Sequence, residues 1–228
     1  MPPIAWLCDF DGTVSPRDIG AAFAEAFSAD GIAERLPEIA QWRAGRLGHR
    51  ALTEAQCAVM RASEPEALEF TRGFTLDPAF APFVREVRAR GEHVMVVSEG
   101  FDFYVQDQLA RAGLGDVPWA ANALDFLPDR RLAPRFPFAD PACDRCGNCK
   151  AGHVRRFQAQ GDFVVLVGDG DSDRHGAIAA DAVLARRALL EWCRATGVAH
   201  VAVSDFADVG AWARGAPRTR STATERAS

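Results

Sequence analysis

The chain has 228 residues, 48% hydrophobic and 25% charged, with a formal net charge of −5. This is globular composition, long enough for one full domain plus a smaller insertion. It carries no basic field suited to nucleic acid and no apolar run reaching the ~18 residues that span a bilayer, so neither nucleic acid nor membrane is expected as a partner.

The opening Met1-Pro2-Pro3 lacks the basic and apolar regions of a signal peptide, which makes the cytoplasm the default expectation. In that setting six cysteines read as reduced thiols or metal ligands rather than disulfides. Ile4-Ala5-Trp6-Leu7 predicts a short buried strand. It leads into Cys8-Asp9-Phe10-Asp11-Gly12-Thr13, the stretch around which the chain is organised. If the strand conformation persists through Phe10, Asp9 and Asp11 lie on one side. Two carboxylates that close need a cation, a proton or water between them, and a hard divalent ion such as Mg²⁺ meets that need. The blander alternative is that both acids cap the next helix. Thr13 is open to the same two readings.

Residues 15–76 carry helical patterns and no convincing strand. Ile19, Phe23 and Phe27 fall at helical spacing with Asp18 able to cap, and amphipathic segments follow over 32–42, 52–61 and 65–70. One crossover needs only a single helix, so residues 15–76 are expected to form a helical cap that excludes water and sorts substrates. An apolar face on such a cap could also support a homodimer. Residues 78–90 return to the core as a helix, and 93–98 form a second apolar strand ending in Ser98. A turn at Glu99-Gly100 then opens a helix over 101–112. Backbone N–H groups at a helix start favour an anion. Ser98 Oγ and the N–H groups near Glu99 and Gly100 are therefore candidate phosphate ligands, a role compatible with Ser98 as an N-cap.

Residues 117–150 read as an excursion: strands over 117–126 and 131–136 joined at Pro128-Asp129, then Cys143-Asp144-Arg145-Cys146-Gly147-Asn148-Cys149-Lys150. Two overlapping C-x-x-C spacings suggest Zn²⁺ or an iron–sulfur cluster at Cys143, Cys146 and Cys149, with His153 the one nearby candidate for a fourth ligand. The alternative is a tight Gly-Asn turn that delivers Lys150. A helix over 153–160 and a third apolar strand over 163–167 lead to Gly168-Asp169-Gly170-Asp171-Ser172-Asp173. A helical turn from Asp169 would bring Asp173 to the same side and leave Asp171 pointing elsewhere. Short helices over 174–180, 188–195 and 206–212 alternate with strands over 182–185 and 200–203. Residues 214–228 have almost nothing to bury and are expected to be a disordered tail.

Strands alternating with helices specify an α/β parallel sheet, here a core of residues 1–14 and 77–213. Such sheets bind ligands at the carboxyl ends of their strands, which would gather Asp9, Ser98 and Asp169. The order acid pair, Ser, Lys, acid cluster resembles the haloacid dehalogenase superfamily, mostly phosphatases, from about Ile4 to about Phe206. The helical insertion after the first strand resembles its phosphoserine-phosphatase-like branch. The resemblance implies a Rossmann-like core and a Mg²⁺-dependent phosphatase acting on a small phosphorylated metabolite through an aspartyl-phosphate. Asp9 would be the nucleophile and Asp11 the general acid and base. Mg²⁺ would take Asp9, the backbone carbonyl of Asp11, and Asp169. Lys150 would bridge Asp9 and a phosphate oxygen, Thr13 and Ser98 would donate hydrogen bonds near Glu99 and Gly100, and Asp173 would orient Lys150 or the metal's waters.

Narrower likenesses point in several directions. The cysteine loop ending in Cys-Lys resembles both the methionine-salvage phosphatases of hydroxy-keto-methylthiopentenyl phosphate and the vertebrate phosphoethanolamine/phosphocholine phosphatases. Gly100-Phe101-Asp102-Phe103-Tyr104 and Leu189-Leu190-Glu191-Trp192-Cys193-Arg194 are similar to the former group, while G-D-G-D-S-D is closer to phosphoserine phosphatase. Glu99 departs from the Gly-Gly of the methionine-salvage group. An acid there would repel a dianionic substrate unless it points away or binds an amine or hydroxyl. A dehalogenase is disfavoured, because that chemistry needs no metal and leaves Asp11, Asp169 and Asp173 unexplained. A non-catalytic phosphate-sensing or zinc-scaffold module is the remaining alternative.

Overall fold

The computed structural model describes residues 2–28 and 37–215. Its centre is β1 (Ile4–Cys8), buried along its whole length. Parallel neighbours flank it, β2 (His93–Phe101) on one side and β5 (Phe163–Gly168) on the other. Beyond β2 come β3 (Trp119–Phe126), parallel, and β4 (Leu132–Arg135), antiparallel. Beyond β5 come β6 (Ala182–Ala185) and β7 (Val201–Ala202), both parallel. The order β4-β3-β2-β1-β5-β6-β7 makes β1 the strand from which successive connections run outward in both directions. A crevice opens at the carboxyl end of such a strand.

Near-continuous apolar strands are explained by cover on both faces. Ile4, Trp6, Cys8, Val94, Val96, Val165 and Val167 pack on one side, and Ala5, Leu7, Met95, Val97, Val164 and Leu166 on the other. Each large side chain so buried contributes roughly 1.5–3 kcal/mol before conformational entropy is set against it.

Between β1 and β2 the chain is helical: α1 (Ile19–Phe27), α2 (Pro37–Arg43), α3 (His49–Val59), α4 (Glu64–Thr71) and then α5 (Phe80–Ala89). Asp18 caps α1 as expected, accepting the Ala21 N–H at 2.7 Å. The helix expected over 32–42 falls partly outside the described residues. The insertion is tied to the turn between β3 and β4: Ala62 N–H donates to the Arg130 carbonyl at 3.0 Å, and Arg61 bridges to Arg131. The rest of the chain supplies α6 (Asp102–Arg111), α7 (Lys150–Ala159), α8 (Arg174–Ala179), α9 (Arg187–Thr196) and α10 (Phe206–Gly215).

Three boundaries differ from expectation in ways that matter. β2 does not stop at Ser98; it continues through an irregular register to Phe101. Lys150 is not a loop residue but the first residue of α7, with Cys149 at the N-cap. α10 runs to Gly215, two residues into the span expected as a tail, and residues 216–228 lie outside the described residues. Among the described residues, the large hydrophobic side chains left exposed are Phe138, Ile178 and Val201. None belongs to α1–α4, so nothing there favours the expected dimer face. No described helix is long and apolar enough to cross a membrane.

Phe23 fastens α1 to the core, with ring centroids 5.0 Å from Phe27, 5.4 Å from Phe103 and 6.5 Å from Phe101. Phe23→Ala should destabilise the protein by about 3–5 kcal/mol. The measurement is urea unfolding, where the midpoint should fall without a change in slope.

Candidate active site

β1 ends at Cys8, and Asp9 follows at its carboxyl end, where its N–H still donates to Val167 of β5 at 2.9 Å. Asp9 is buried, and Lys150 Nζ approaches its Oδ1 to 2.5 Å. The same ammonium also holds Asp173 Oδ1. Lys150 is buried, and burial alone would favour its neutral form. The adjacent Asp173 and Asp9 charges outweigh that and raise its pKa, so it is a fixed cation. Asp173 ends a single 3-10 turn, Asp171–Asp173, and its Oδ2 accepts the N–H groups of Asp169 at 3.0 Å and Gly170 at 2.9 Å. Asp171 pairs with Arg174 and also lines the cavity described below.

Asp169, at the end of β5, completes the cluster. Asp9, Asp169 and Asp173 each offer an oxygen within 4.8 Å of the others. Burial, then the Asp173 charge, raises the pKa of Asp169, and the same two causes raise that of Asp9 well above the usual carboxylate range. Three carboxylates face one ammonium. The unrelieved negative charge is what a hard divalent cation neutralises, so the donor set fits Mg²⁺. Gly12 makes the packing possible: its φ is +82°, and a Cβ there would lie 2.3 Å from Asp169 Oδ2.

Asp11 is turned away from that trio. Its Oδ1 accepts the N–H groups of Ile19 at 2.8 Å and Gly20 at 3.2 Å, at the start of α1. Its Oδ2 accepts the Tyr104 hydroxyl at 2.7 Å and the Ser98 hydroxyl at 3.3 Å. Burial, then the nearby Asp18 charge, pushes its pKa up to about 7, against the lowering effect of these hydrogen bonds. The two acids of the D-x-D pair therefore occupy different surroundings. That the following chain turns away right after Cys8 is why strand alternation does not place them alike.

Asp9, Asp11, Ser98 and Asp169 line one cavity of ≈ 340 Å³, roofed by side chains of α2 and α3 including Ile39, Trp42, His49 and Leu52. Four expected phosphate contacts are rearranged. Thr13 is fully buried, and its hydroxyl donates to Asp169 Oδ1 at 3.2 Å. Gly100 N–H is not at a helix start; it donates to Ser98 Oγ at 2.9 Å because β2 continues past Ser98. Lys150 stands behind Asp9 rather than at the cavity wall. Glu99 reaches the cavity, but its Oε1 accepts the N–H groups of Gly147 at 3.0 Å and Asn148 at 3.4 Å, and its Oε2 lies 2.9 Å from His49 Nδ1. Burial opposes ionisation of Glu99, yet the pairing with His49 outweighs it and lowers the pKa. Its charge is thus engaged within the protein, by His49 and by the N–H groups of the loop before Lys150.

Three site residues escaped the sequence reading. Tyr104 holds Asp11 from the first turn of α6. His49 pairs with Glu99 from the cap, and no local pattern marks it. Arg187 donates to the carbonyls of Gly12 at 3.2 Å and Pro16 at 2.7 Å and lies 3.4 Å from Asp169 Oδ2. It follows the carboxyl end of β6, the edge where ligands of parallel sheets bind, and that rule could have found it.

An open, mostly parallel sheet with acids gathered beyond its switch-point strand, and helices over them, offers a metal-binding crevice where a ligand of such sheets would sit. The sequence pattern of haloacid dehalogenase-like hydrolases matches residues 6–178. A 2-hydroxy-3-keto-5-methylthiopentenyl-1-phosphate phosphatase of Brevibacillus brevis is 30% identical over 209 residues, spanning 89% of this chain and 91% of the relative. The phosphatase of that name from Geobacillus thermodenitrificans is 31% identical over 215 residues, with 89% and 92% covered. A phosphoserine phosphatase with a phospho-aspartyl intermediate analogue superposes with a TM-score of 0.71 at 17% identity, covering 93% of this chain and 99% of that one. At that identity the likeness is one of fold. The chain belongs to the haloacid dehalogenase-like hydrolases, and it is a phosphoric monoester hydrolase.

A Cβ at Gly100 would fall 1.6 Å from Tyr104 Oη and 2.5 Å from Asp11 Oδ2. Gly100→Ala should therefore displace both groups and lower kcat on the order of 10²-fold, the cost of misplacing a catalytic group by about 1 Å. Steady-state kinetics, with circular dichroism confirming an intact fold, check this.

Proposed function

We propose that the protein is a Mg²⁺-dependent phosphatase of the methionine-salvage type, hydrolysing 2-hydroxy-3-keto-5-methylthiopentenyl-1-phosphate in the cytoplasm. The observation that carries the chemistry is the buried Lys150 ammonium held between Asp9 and Asp173, with Asp169 alongside. The substrate assignment rests on the named relatives. The cavity is compatible with it: Ile39, Trp42, Leu52 and Met60 give apolar wall for a thioether chain opposite the acids.

Asp9 is the nucleophile. An oxygen of its carboxylate bonds to phosphorus as the ester P–O bond breaks, leaving an aspartyl-phosphate. Asp11 gives its proton to the departing alkoxide, then takes one from the water that attacks phosphorus and restores Asp9. A pKa of about 7 suits a group that must serve both as acid and as base. Lys150 favours the ionised Asp9 carboxylate against burial and the neighbouring acids and aims it, and Asp173 holds Lys150. Asp9 and Asp169, with the Asp11 carbonyl, would hold Mg²⁺, and Asp173 stands close enough to orient its waters. The ion supplies charge neutralisation for the approaching phosphate and the transition state. Ser98 orients Asp11 and faces the phosphate. Residues 15–76 act as the cap, closing the cavity to bulk water.

Asp9→Asn should remain folded and lose turnover of every phosphomonoester, and EDTA should abolish activity until Mg²⁺ is restored. In a panel with phosphoserine, phosphocholine and phosphoethanolamine, the methylthiopentenyl ester should show the highest kcat/KM. A higher value for phosphoserine would reassign the substrate. Full turnover by Asp9→Asn would remove the nucleophile and the mechanism with it.

The acid role of Asp11 has its own signature. An alkoxide needs a proton to leave, whereas 4-nitrophenolate does not. Asp11→Asn should cost about 10²–10⁴-fold on an alkyl phosphate. The loss should be much smaller in the phosphorylation step with 4-nitrophenyl phosphate, read by the burst of nitrophenolate. With the native enzyme the alkyl-ester phosphorylation step should fall as pH rises through about 7, where Asp11 gives up its proton. Equal losses on both esters would exclude the assignment.

A further inference from the structure

A second cluster of ligating groups lies outside the cavity. Cys143, Cys146 and Cys149 occupy the loop before α7, and His175 lies in the first turn of α8. One donor atom from each falls within 4.8 Å of the other three. Cys146 Sγ and His175 Nδ1 are 3.4 Å apart, and all three cysteines are free thiols. Tetrahedral zinc, with Zn–S of about 2.3 Å and Zn–N of about 2.0 Å, has ligand–ligand edges of about 3.5–3.8 Å. His153, the fourth ligand that sequence proximity suggests, is already committed: its Nε2 lies 2.7 Å from Asn148 Oδ1.

Cysteines packed as small apolar side chains would explain part of this, since Cys146 and Cys149 do pack with Ala151 and Ala179. That packing gives no reason for a histidine nitrogen among three sulfurs. The charge around the loop points the same way. A Zn²⁺ with three thiolates and one imidazole is a net anion, and a cation already braces the loop. Arg50 Nη2 donates to the carbonyls of Cys143 at 3.3 Å and Cys146 at 3.1 Å. Arg50 Nε is buried with no hydrogen-bond partner among the described residues.

We propose that Cys143, Cys146, Cys149 and His175 bind one structural Zn²⁺, a closed four-ligand site separate from the Mg²⁺ position. Nitrogen and sulfur donors in a complete tetrahedral set select zinc over the hard cation that suits the carboxylates. The location gives the ion a task. Cys149 directly precedes Lys150, and His175 lies two residues beyond Asp173. The ion therefore pins together the backbone on both sides of the Lys150–Asp173 pair. Arg50 and the Arg145 carbonyl, which accepts the Arg50 N–H at 3.0 Å, extend the same joint to α3.

Elemental analysis of the full chain, purified without metal-affinity resin or added zinc, tests this directly. About one zinc per chain is expected, and X-ray absorption at the zinc edge should show three sulfur neighbours and one nitrogen. His175→Ala changes an exposed residue outside the phosphate machinery. It should lose zinc to a weak chelator that leaves the native protein loaded, because losing a ligand weakens affinity by more than the roughly 10–100-fold typical of an outer partner. Cys146→Ser should do the same. Zinc loss should lower the thermal midpoint, since binding energy at a structural site is folding energy. Native protein with far less than one zinc, iron in its place, a disulfide among these cysteines, or undiminished zinc in both variants would each overturn the proposal. Metal content is read without reference to turnover, so a failed substrate assignment leaves this test intact.

Discussion

Everything at this site depends on one buried ammonium. Without Lys150, Asp9 and Asp173 would be two carboxylates facing each other out of water, and burial with the Asp173 charge raises the Asp9 pKa well above its usual range even with Lys150 in place. Removing one partner of such a buried pair typically costs 3–5 kcal/mol, about the whole margin of a modest domain. The proposed role of Asp9 gives a reason for that exposure to failure, since a carboxylate that is to act as nucleophile must be ionised and must not wander. Lys150 works against burial and Asp173 in favour of the ionised form and fixes the carboxylate in place, but it leaves the acids in excess. That excess is the charge a hard divalent cation such as Mg²⁺ would neutralise.

The sheet order explains how distant segments reach one point. β1 carries Asp9 outward between β2 and β5, so Ser98 arrives from one neighbour and Asp169 from the other. The remaining members need more than strand ends. Asp173 returns through a single 3-10 turn, with its carboxylate anchored on the backbone of Asp169 and Gly170. Lys150 comes from the first turn of α7, whose loop is nailed to the sheet by Asn148 Nδ2 donating to the carbonyls of Ser98 and Ala120, each at 2.9 Å. Rigid strands thus place two acids, and capped turns place the pieces that must meet them.

Much of this was legible in the sequence because apolar runs and their following residues are local signals. Ile4-Ala5-Trp6-Leu7 and Phe163-Val164-Val165-Leu166-Val167 announce buried parallel strands, and position after them singles out Asp9 and Asp169. What was not legible depends on side chains that meet across the fold. The sequence cannot tell that β2 runs on to Phe101, so the Gly100 N–H looked available to an anion. It cannot tell that Glu99 finds His49, which lies on a helix in the insertion. Thr13 looked like a phosphate ligand and instead secures Asp169. For the cysteine loop, proximity in sequence favoured His153, whereas the fold presents His175 from α8, beyond an intervening helix and strand.

The division of labour between Asp9 and Asp11 follows from where the chain turns. Asp9 faces the lysine and the other acids. Asp11 has left the strand, and its carboxylate is held by the first N–H groups of α1 and by Tyr104. These donors favour the ionised form, while burial and Asp18 oppose it, and the balance falls near 7. The α1 N–H donors and Asp18, which act in opposite directions, both belong to the start of the helical insertion itself. A displacement of α1 away from the core would loosen those N–H contacts and admit water at the same time. The strength of the acid and the dryness of the cavity are therefore coupled through one helix. The helix that lies over the proposed catalytic acid thus also sets its proton affinity.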